Sequence, residues 1–344
     1  MTDRHAHLVG SLPAENAAAA MGLATERLGS ELPCLPDGET GDRQNWVLNV
    51  IEGFRDHPDV RLVKDGGWSG YQDIPRFGVR SGHRLDGSTI KLGIAAAAAL
   101  AKPEFAALRP KLADGARFQV GIPGDLDLAL FTFGPTGPLR HRRPFTDALA
   151  AAMREVHGLF GDDVVFQIEV PAELVFVVKA PGPVRSAIAV PLSRGIAALV
   201  RCAPPGARFG VHLCLGDMNH QALAKTGSAA PLTVLTNAIA SRWPDGWPLE
   251  FVHLPLAAAD EQPATDAGFY APLAGLALPS HVRLVAGFAH ETQDAATQFR
   301  IRQHIEEAVG HPVDISTSCG LGRREPQAAS AALDRIKLLL GPAS

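Results

Sequence analysis

Two residues near the middle of the chain and one near its end have side chains that bind metals. His212 and Cys214 are two positions apart in the segment 208–216, which reads RFGVHLCLG and is typical of a β-strand. Because side chains two positions apart on a strand point to the same side, both ligand atoms should project together. Cys319 lies at the end of a second strand-like segment, 312–320. Imidazole nitrogen and thiolate sulfur are good zinc ligands, so these residues are candidates for a zinc site.

The order of segments predicts a scaffold that brings these distant residues together. Strand-like runs alternate with helix-like runs, which is typical of a parallel sheet covered by helices. The predicted strands cover 5–11, 32–39, 117–124, 164–171, 208–216, 248–255, 282–289 and 312–320. The predicted helices cover 13–27, 43–55, 93–112, 144–159, 184–203, 230–242, 294–309 and 325–340. Eight such pairs predict one α/β domain over residues 1–344, a (β/α)8 TIM barrel whose strand ends form a single ring.

One segment interrupts this alternation. Residues 56–92 follow the second predicted strand and are rich in Gly, Asp and Arg. Unstructured loops of this length are uncommon inside a compact domain and are usually functional or disordered. Trp68, Tyr71 and Phe77 give this segment apolar anchors. We therefore expect an ordered flap or a hairpin insertion near the mouth of the site.

Composition indicates the class of protein and its surroundings. The 344 residues are 46% hydrophobic and 20% charged, which is typical of a globular enzyme. A formal net charge of -4 without a long basic run argues against a nucleic-acid partner. The first residues lack the apolar region of a secretion signal, and the apolar run 92–101 is too short to span a bilayer. We expect a cytoplasmic protein with no membrane partner, in which Cys34 and Cys202 are reduced, structural thiols.

Six short motifs occur in the same order as in a known family, along nearly the whole chain. The motifs are Val9-Gly10-Ser11, Asp37-Gly38-Glu39 followed by Arg43, Gln167-Ile168-Glu169-Val170-Pro171-Ala172, His212-x-Cys214, His290 and Cys319-Gly320-Leu321. In that order they resemble the I/V-G-S strand, the G-E-x-x-R turn, the Q-I-D-E-P-A strand, the H-x-C zinc strand, the catalytic histidine and the D-C-G-L zinc strand of cobalamin-independent methionine synthase. That family shares a barrel superfamily with uroporphyrinogen decarboxylase.

The resemblance implies a role in thiol alkylation for each matching residue. The implied zinc ligands are His212, Cys214 and Cys319. The residues implied to hold the amino-acid part of a homocysteine-like substrate are Ser11, Glu39 and Glu169. The implied catalytic residue is His290. The substrate thiol would take an open position on the zinc ion, which activates it as a zinc thiolate. The implied reaction moves a methyl or another alkyl group from a donor to this thiol.

The family usually supplies a glutamate as a further zinc ligand at the end of the sixth strand. In this chain the predicted strand 248–255 offers Glu250 and His253. They are three positions apart and should face opposite sides of the strand. Alignment of the strand ends favours His253, whereas conservation of ligand chemistry favours Glu250. We take His253 as the expected ligand and Glu250 as the alternative.

Ligand composition also bears on the reaction type. Two thiolates cancel the charge of zinc and preserve the nucleophilicity of a substrate sulfur, whereas hydroxide-forming sites more often use neutral histidines. The alternative function is a metal-free decarboxylase or lyase on the same barrel, with arginines that recognise substrate carboxylates. The arginines considered for anion binding are Arg43, Arg323 and Arg324 near the motifs and Arg80, Arg84, Arg140, Arg142 and Arg143 elsewhere. A third function is a non-catalytic zinc-binding or thiol-carrier protein.

Overall fold

The computed structural model of the protein describes residues 4–342, apart from the side chain of Trp46. The strands are β1 (Cys34–Pro36), β2 (Val60–Lys64), β3 (Arg76–Val79), β4 (Arg117–Pro123), β5 (Val164–Glu169), β6 (Arg208–His212), β7 (Leu249–Pro255), β8 (Arg283–Gly287) and β9 (Asp314–Ser316). The helices are α1 (Ala17–Leu28), α2 (Trp46–Glu52), α3 (Ile94–Leu108), α4 (Asp125–Phe133), α5 (Gly137–Phe160), α6 (Pro171–Lys179), α7 (Arg185–Val200), α8 (Ala230–Ala240), α9 (Ala267–Tyr270), α10 (Ala295–Val309) and α11 (Pro326–Leu340).

Seven of these strands form one curled, barrel-like parallel sheet within residues 4–342, in the order β1-β4-β5-β6-β7-β8-β9. The segment 5–12 contacts both edges of this sheet. At one edge, the backbone N–H of His7 donates to the carbonyl of Ile315 in β9 at 2.9 Å. At the other, the N–H of Leu12 donates to the carbonyl of Gly38, just after β1, at 2.8 Å. The carboxyl ends of all seven strands therefore lie on one side of the molecule, as the sequence predicts.

The prediction of a strand over 5–11 is wrong. In this segment Ala6 alone forms an isolated bridge, with Ile315. The side-chain amide of Gln119 donates to the carbonyls of Leu8 and Val9, at 2.8 and 2.9 Å. Because these carbonyls bond to a side chain from within the sheet, they do not extend the backbone ladder that a strand requires. The first of the eight predicted strands is thus reduced to one bridge.

The segment 56–92 contains the predicted hairpin, since β2 and β3 pair in antiparallel fashion. The residues that connect the two strands are bound to the loop after β6. The backbone N–H of Met218 donates to the Tyr71 hydroxyl oxygen at 3.0 Å, and the side-chain amide of Asn219 donates to the Trp68 carbonyl at 2.8 Å. The hairpin is therefore attached to the same loop that follows His212.

Sequence analysis missed α4 and α6, which begin immediately after β4 and β5. Pro171 opens α6, where its fixed φ suits the first helical turn. The Asp127 carboxylate accepts a hydrogen bond from the N–H of Ala172 at 2.7 Å and so satisfies a backbone donor at the start of α6. The helix predicted to start at 144 begins at Gly137, and Pro144 lies inside it.

One stretch of 19 residues, Gly182–Val200, is long and apolar enough to cross a membrane by length and composition. It includes α7, which packs against α6 and α8. Core helices of globular proteins pass the same length test, so the expectation of no membrane partner stays a prediction.

Candidate metal centre

Three ligand atoms converge at the carboxyl ends of β6 and β9. His212 is the last residue of β6, Cys214 follows two positions later, and Cys319 lies in the turn after β9. The Sγ atom of Cys319 is 3.9 Å from the Sγ atom of Cys214 and 3.9 Å from Nε2 of His212. All three ligand atoms lie within 4.8 Å of one another, and all three residues are buried. The structure thus brings together the three residues that the sequence predicts as zinc ligands.

The spacing of these atoms fits a tetrahedral zinc ion. Zinc binds thiolate sulfur at about 2.3 Å, so two sulfur ligands in a tetrahedral site stand about 3.8 Å apart. The observed Sγ–Sγ distance of 3.9 Å would change very little on metal binding. Three protein ligands leave a fourth position for a substrate, as in catalytic zinc sites. The donor set of one imidazole and two thiols is therefore able to hold zinc.

The strand that carries His212 is shorter than predicted. β6 ends at His212, so Cys214 lies in the loop that follows rather than on the strand. Gly216 then turns the chain away with a φ of 81°, a left-handed conformation that favours glycine. Its N–H donates to the Cys214 sulfur at 3.3 Å. The spacing of the two residues in the sequence predicted that the Cys214 sulfur lies beside His212. The loop conformation stabilises the sulfur in this position.

His253 lies outside the group of three. Its Nδ1 atom is 2.8 Å from Nδ1 of His212, and its Nε2 atom is 2.9 Å from the carbonyl oxygen of Thr317. Both ring nitrogens therefore have protein partners, and the expected role of His253 as a ligand does not agree with this geometry.

The alternative ligand, Glu250, lies near the start of β7, whereas the three residues of the candidate site lie at the carboxyl ends of their strands. Its carboxylate accepts hydrogen bonds from Arg117 at 3.2 Å and from Arg208 at 2.9 Å. Strand direction explains this placement, because residues at opposite ends of parallel strands cannot meet in one site.

A cation lies beside the Cys319 sulfur. Nη2 of Arg323 donates to this sulfur at 3.4 Å, and Nε of Arg323 donates to the Asp217 carboxylate at 3.0 Å. The hydrogen bond with Cys214 and the positive charge of Arg323 hold the pKa of the Cys319 thiol below its usual value, against the effect of burial. The same hydrogen bond, together with burial, raises the pKa of Cys214. The contact with Arg323 therefore favours a thiolate on Cys319. Sequence analysis gave no sign of Asp217.

Two carboxyl groups approach each other inside the sheet, where glycines leave space for them. A Cβ atom at Gly121 would lie 2.6 Å from Oε1 of Glu39 and 3.2 Å from Oε1 of Glu169. A Cβ atom at Gly10 would lie 2.8 Å from Oε2 of Glu39. Burial and the negative charge of Glu169 raise the pKa of Glu39 well above its ordinary value. Two neighbouring carboxyl groups of this kind suit a substrate cation such as an ammonium group.

Ser11 contacts the turn that carries Cys319. Its hydroxyl oxygen accepts a hydrogen bond from the N–H of Gly322 at 3.3 Å, and its carbonyl accepts one from the N–H of Leu321 at 2.7 Å. A Cβ atom at Gly320 would lie 2.3 Å from the Ser11 hydroxyl oxygen, so a side chain there would displace this hydroxyl group. The structure therefore links the first motif to the last one.

His290 follows β8 and is buried. Its Nδ1 atom accepts a hydrogen bond from the N–H of Thr292 at 3.2 Å, while Nε2 has no hydrogen-bond partner among the described residues. Burial lowers the pKa of His290, which the neighbouring Glu291 partly opposes. No described contact joins His290 to the three ligand residues. His290 is thus on the correct side of the sheet but is not part of the group.

A cavity of about 120 Å³ lies beside the sulfur atoms of Cys214 and Cys319. Helix α2, the hairpin connection, α4 and the loop after β6 form its walls. Most of its lining is apolar and includes Val47, Leu48, Ile51, Trp68, Ile74 and Phe131. Among the described lining residues Arg323 is the cation, and its guanidinium already pairs with Asp217.

The other arginines near the motifs also have acidic partners. Arg43 pairs with Asp37 at 2.5 Å, and Arg324 pairs with Glu291 at 3.0 Å. Their charges are thus balanced within the protein, which makes them less suited to bind substrate carboxylates.

No protein-family model and no curated protein sequence matches the chain. Solved structures do match its fold. A B12-independent methionine synthase from Shewanella sp., solved with selenomethionine, is 13% identical over 98% of this chain and 97% of that chain, with a TM-score of 0.59. A methyltransferase from Methanosarcina mazei is 11% identical over 97% of this chain and 93% of that chain, with a TM-score of 0.53. The chain thus shares its fold with cobalamin-independent methionine synthase and a related methyltransferase, in agreement with the family resemblance of its six motifs.

Proposed function

We propose that the protein is a zinc-dependent transferase that moves a methyl or another small alkyl group to the sulfur of a small thiol. The observation that carries this proposal is the convergence of His212, Cys214 and Cys319 beside a cavity. Two proteins with the same fold are a methionine synthase and a methyltransferase, which supports methyl transfer. We further propose that the segment 5–12 closes the curled sheet into a barrel.

His212, Cys214 and Cys319 would hold zinc, and a bound zinc ion would supply the chemistry that deprotonates the substrate thiol at neutral pH. The substrate sulfur then forms a bond to the alkyl carbon of the donor, while the bond between that carbon and the donor breaks. The leaving atom of the donor keeps the bonding electron pair and takes up a proton. His290, whose lowered pKa keeps it neutral, would relay that proton.

The carboxyl groups of Glu39 and Glu169 indicate the class of thiol. Their combined negative charge would stabilise an ammonium group, and in return the ammonium group would favour their ionised forms. An amino thiol such as homocysteine meets this requirement. The selenomethionine bound to the Shewanella methionine synthase is also an amino acid, which supports the same substrate class.

The cavity lining indicates the class of donor. Its walls are largely apolar, and the charge of Arg323 is already balanced by Asp217. A polyanionic donor would therefore lose hydration without gaining a free cation. We expect a donor whose alkyl group is attached to an uncharged or weakly charged apolar body. We place the reaction in the cytoplasm, where reducing conditions would prevent a disulfide between Cys214 and Cys319.

Metal analysis combined with a thiol titration tests this function. Protein purified without added zinc should contain about one zinc ion per chain, as expected for a single tetrahedral site. After replacement of zinc with cobalt, homocysteine should change the visible absorption, since a third sulfur would join the metal. Wild-type protein that neither carries nor binds zinc would reject the proposal in favour of the metal-free decarboxylase or lyase. A cobalt spectrum indifferent to thiols would reject thiol activation and favour a non-catalytic metal-binding protein.

A further inference from the structure

A chain of two hydrogen bonds connects the metal-binding segments through His253. Nδ1 of His212 is 2.8 Å from Nδ1 of His253, and Nε2 of His253 is 2.9 Å from the carbonyl oxygen of Thr317. His253 is completely buried, and His212 is only 1% exposed. Thr317 is two positions before Cys319, and its hydroxyl donates to the Cys319 carbonyl at 2.7 Å. His253 in β7 thus connects the end of β6 to the turn after β9.

The chemistry of these atoms fixes the direction of both hydrogen bonds. A carbonyl oxygen can only accept, so Nε2 of His253 must carry a proton. A positive charge on His253 would be costly, because its partners in this buried position are an imidazole and a carbonyl rather than a carboxylate. His253 is therefore neutral, and its Nδ1 atom accepts. It follows that Nδ1 of His212 carries the proton and donates.

A neutral imidazole with a proton on Nδ1 has its lone pair on Nε2. Nε2 of His212 is the atom that lies 3.9 Å from the Cys319 sulfur. Nε2 is the one nitrogen of His212 that is able to bind a cation. The hydrogen-bond chain thus orients this nitrogen toward the two sulfur atoms.

We propose that His253 is a positioning residue that holds His212 in the tautomer and orientation needed for metal binding. His253 itself stays off the metal. The tautomer is a property of the metal-free protein, and only the consequence for metal affinity rests on the proposed function. Partners that orient a metal-binding histidine through its second nitrogen typically change metal affinity by about 10- to 100-fold.

Two substitutions of the same residue separate positioning from packing. His253→Leu fills similar space but removes both hydrogen bonds. His253→Gln keeps an acceptor for His212 and a donor for Thr317, because the oxygen and nitrogen of an amide are spaced much like the two ring nitrogens. His7 provides a matched control, since it is also buried and bonds to Gln167 at 3.0 Å rather than to His212.

The first readout is NMR of the ring nitrogens of isotope-labelled, metal-free protein. We expect His212 to carry its proton on Nδ1 in the wild type and in His253→Gln, and to exchange between both tautomers in His253→Leu. The second readout is zinc affinity by competition with a chromophoric chelator. We expect a loss of about 10- to 100-fold in His253→Leu, recovery to within a few-fold in His253→Gln and little change in His7→Leu.

An Nε2 proton on His212 in the metal-free wild type would overturn the proposal even if the leucine variant failed to fold. A second combined result would also overturn it. If the Leu and Gln variants lost equal zinc affinity and the X-ray absorption spectrum of the zinc protein showed two imidazole ligands, His253 would be a ligand. If the wild type bound no zinc, the proposed function would fail, while the NMR measurement would still decide the tautomer.

Discussion

The Sγ atoms of Cys214 and Cys319 lie 3.9 Å apart although 105 positions separate the two residues. Each residue belongs to a turn just beyond the carboxyl end of a parallel strand, and the curled sheet brings those turns to the same side. Local contacts then hold each sulfur, through the N–H of Gly216 for Cys214 and through Arg323 for Cys319. The sulfur pair is thus set by the backbone and neighbouring residues before a metal binds, which is the condition for a preorganised site.

Replacement of Cys319 with Ser should abolish zinc binding. A serine hydroxyl is a much weaker zinc ligand than a thiolate, so zinc content should fall from about one ion per chain to nearly none after dialysis against a weak chelator. Elemental analysis of the purified variant provides the measurement. Cys202→Ser is the matched control, because the Cys202 thiol is half-buried and bonds to the carbonyl of Ala198. Full zinc content in the Cys319 variant would place the metal elsewhere.

The sequence was sufficient to predict which three residues converge but not the residues that support them. Strand spacing and motif order together pointed to His212, Cys214 and Cys319, because short-range periodicity and the ring of strand ends determine where such residues lie. The Asp217 carboxylate supports Arg323, and the backbone carbonyl of Thr317 supports His253. Neither contribution has a sequence signature, since each depends on tertiary contacts.

Two departures of the structure from the sequence predictions have a common physical cause. The segment 5–11 has the apolar pattern of a strand, yet hydrogen bonds from Gln119 and Gln167 to its carbonyls replace most of the ladder. His253 has the position and chemistry of a ligand, yet both ring nitrogens are engaged by the protein. In both cases a long-range polar contact determines the outcome. The hairpin in 56–92 was predictable because apolar anchors in a long excursion require a packing partner.

Glu39→Gln should stabilise the metal-free, substrate-free protein, and more so as pH rises. The pKa of Glu39 is raised in the folded state, so the folded protein binds a proton more tightly than the unfolded chain does. The associated stability is complete below the unfolded pKa and is lost as pH rises through the folded pKa. Glutamine does not ionise and avoids this loss. The free energy of unfolding of the variant should exceed that of the wild type by about 1–3 kcal/mol, the typical cost of a poorly paired buried polar group.

Urea denaturation of the wild type and Glu39→Gln, at several values from about pH 5 to about pH 8, measures this effect. Glu155→Gln serves as the control, because Glu155 is exposed on α5 and should show no such trend. The same Glu39 variant should bind homocysteine more weakly, since one partner of the ammonium group is gone. A constant stability difference across this pH range would show that Glu39 does not retain its proton in the folded state.

His290→Asn should lower the rate of alkyl transfer without loss of zinc. General acid–base groups typically contribute about 100- to 10,000-fold to a rate, and asparagine cannot relay a proton. Steady-state kinetics together with metal analysis separates the two effects. The exposed His311, replaced in the same way, should leave the rate unchanged. If His290→Asn retained the full rate, the proton would have to leave by another route.

Tyr71→Phe should loosen the hairpin while leaving the metal site intact. The Tyr71 hydroxyl oxygen accepts a hydrogen bond from the N–H of Met218 at 3.0 Å, and the ring lines the cavity. Loss of this bond should lower the free energy that holds the hairpin on the loop after β6 by about 0.5–1.5 kcal/mol. We expect faster amide hydrogen exchange in 65–75 and a higher KM for the donor. Tyr270→Phe is the control, because it removes a hydroxyl that donates to the Ala264 carbonyl at 2.6 Å, away from the cavity. Unchanged exchange in 65–75 would mean that other contacts, such as the one between Asn219 and the Trp68 carbonyl, hold the hairpin in place without Tyr71.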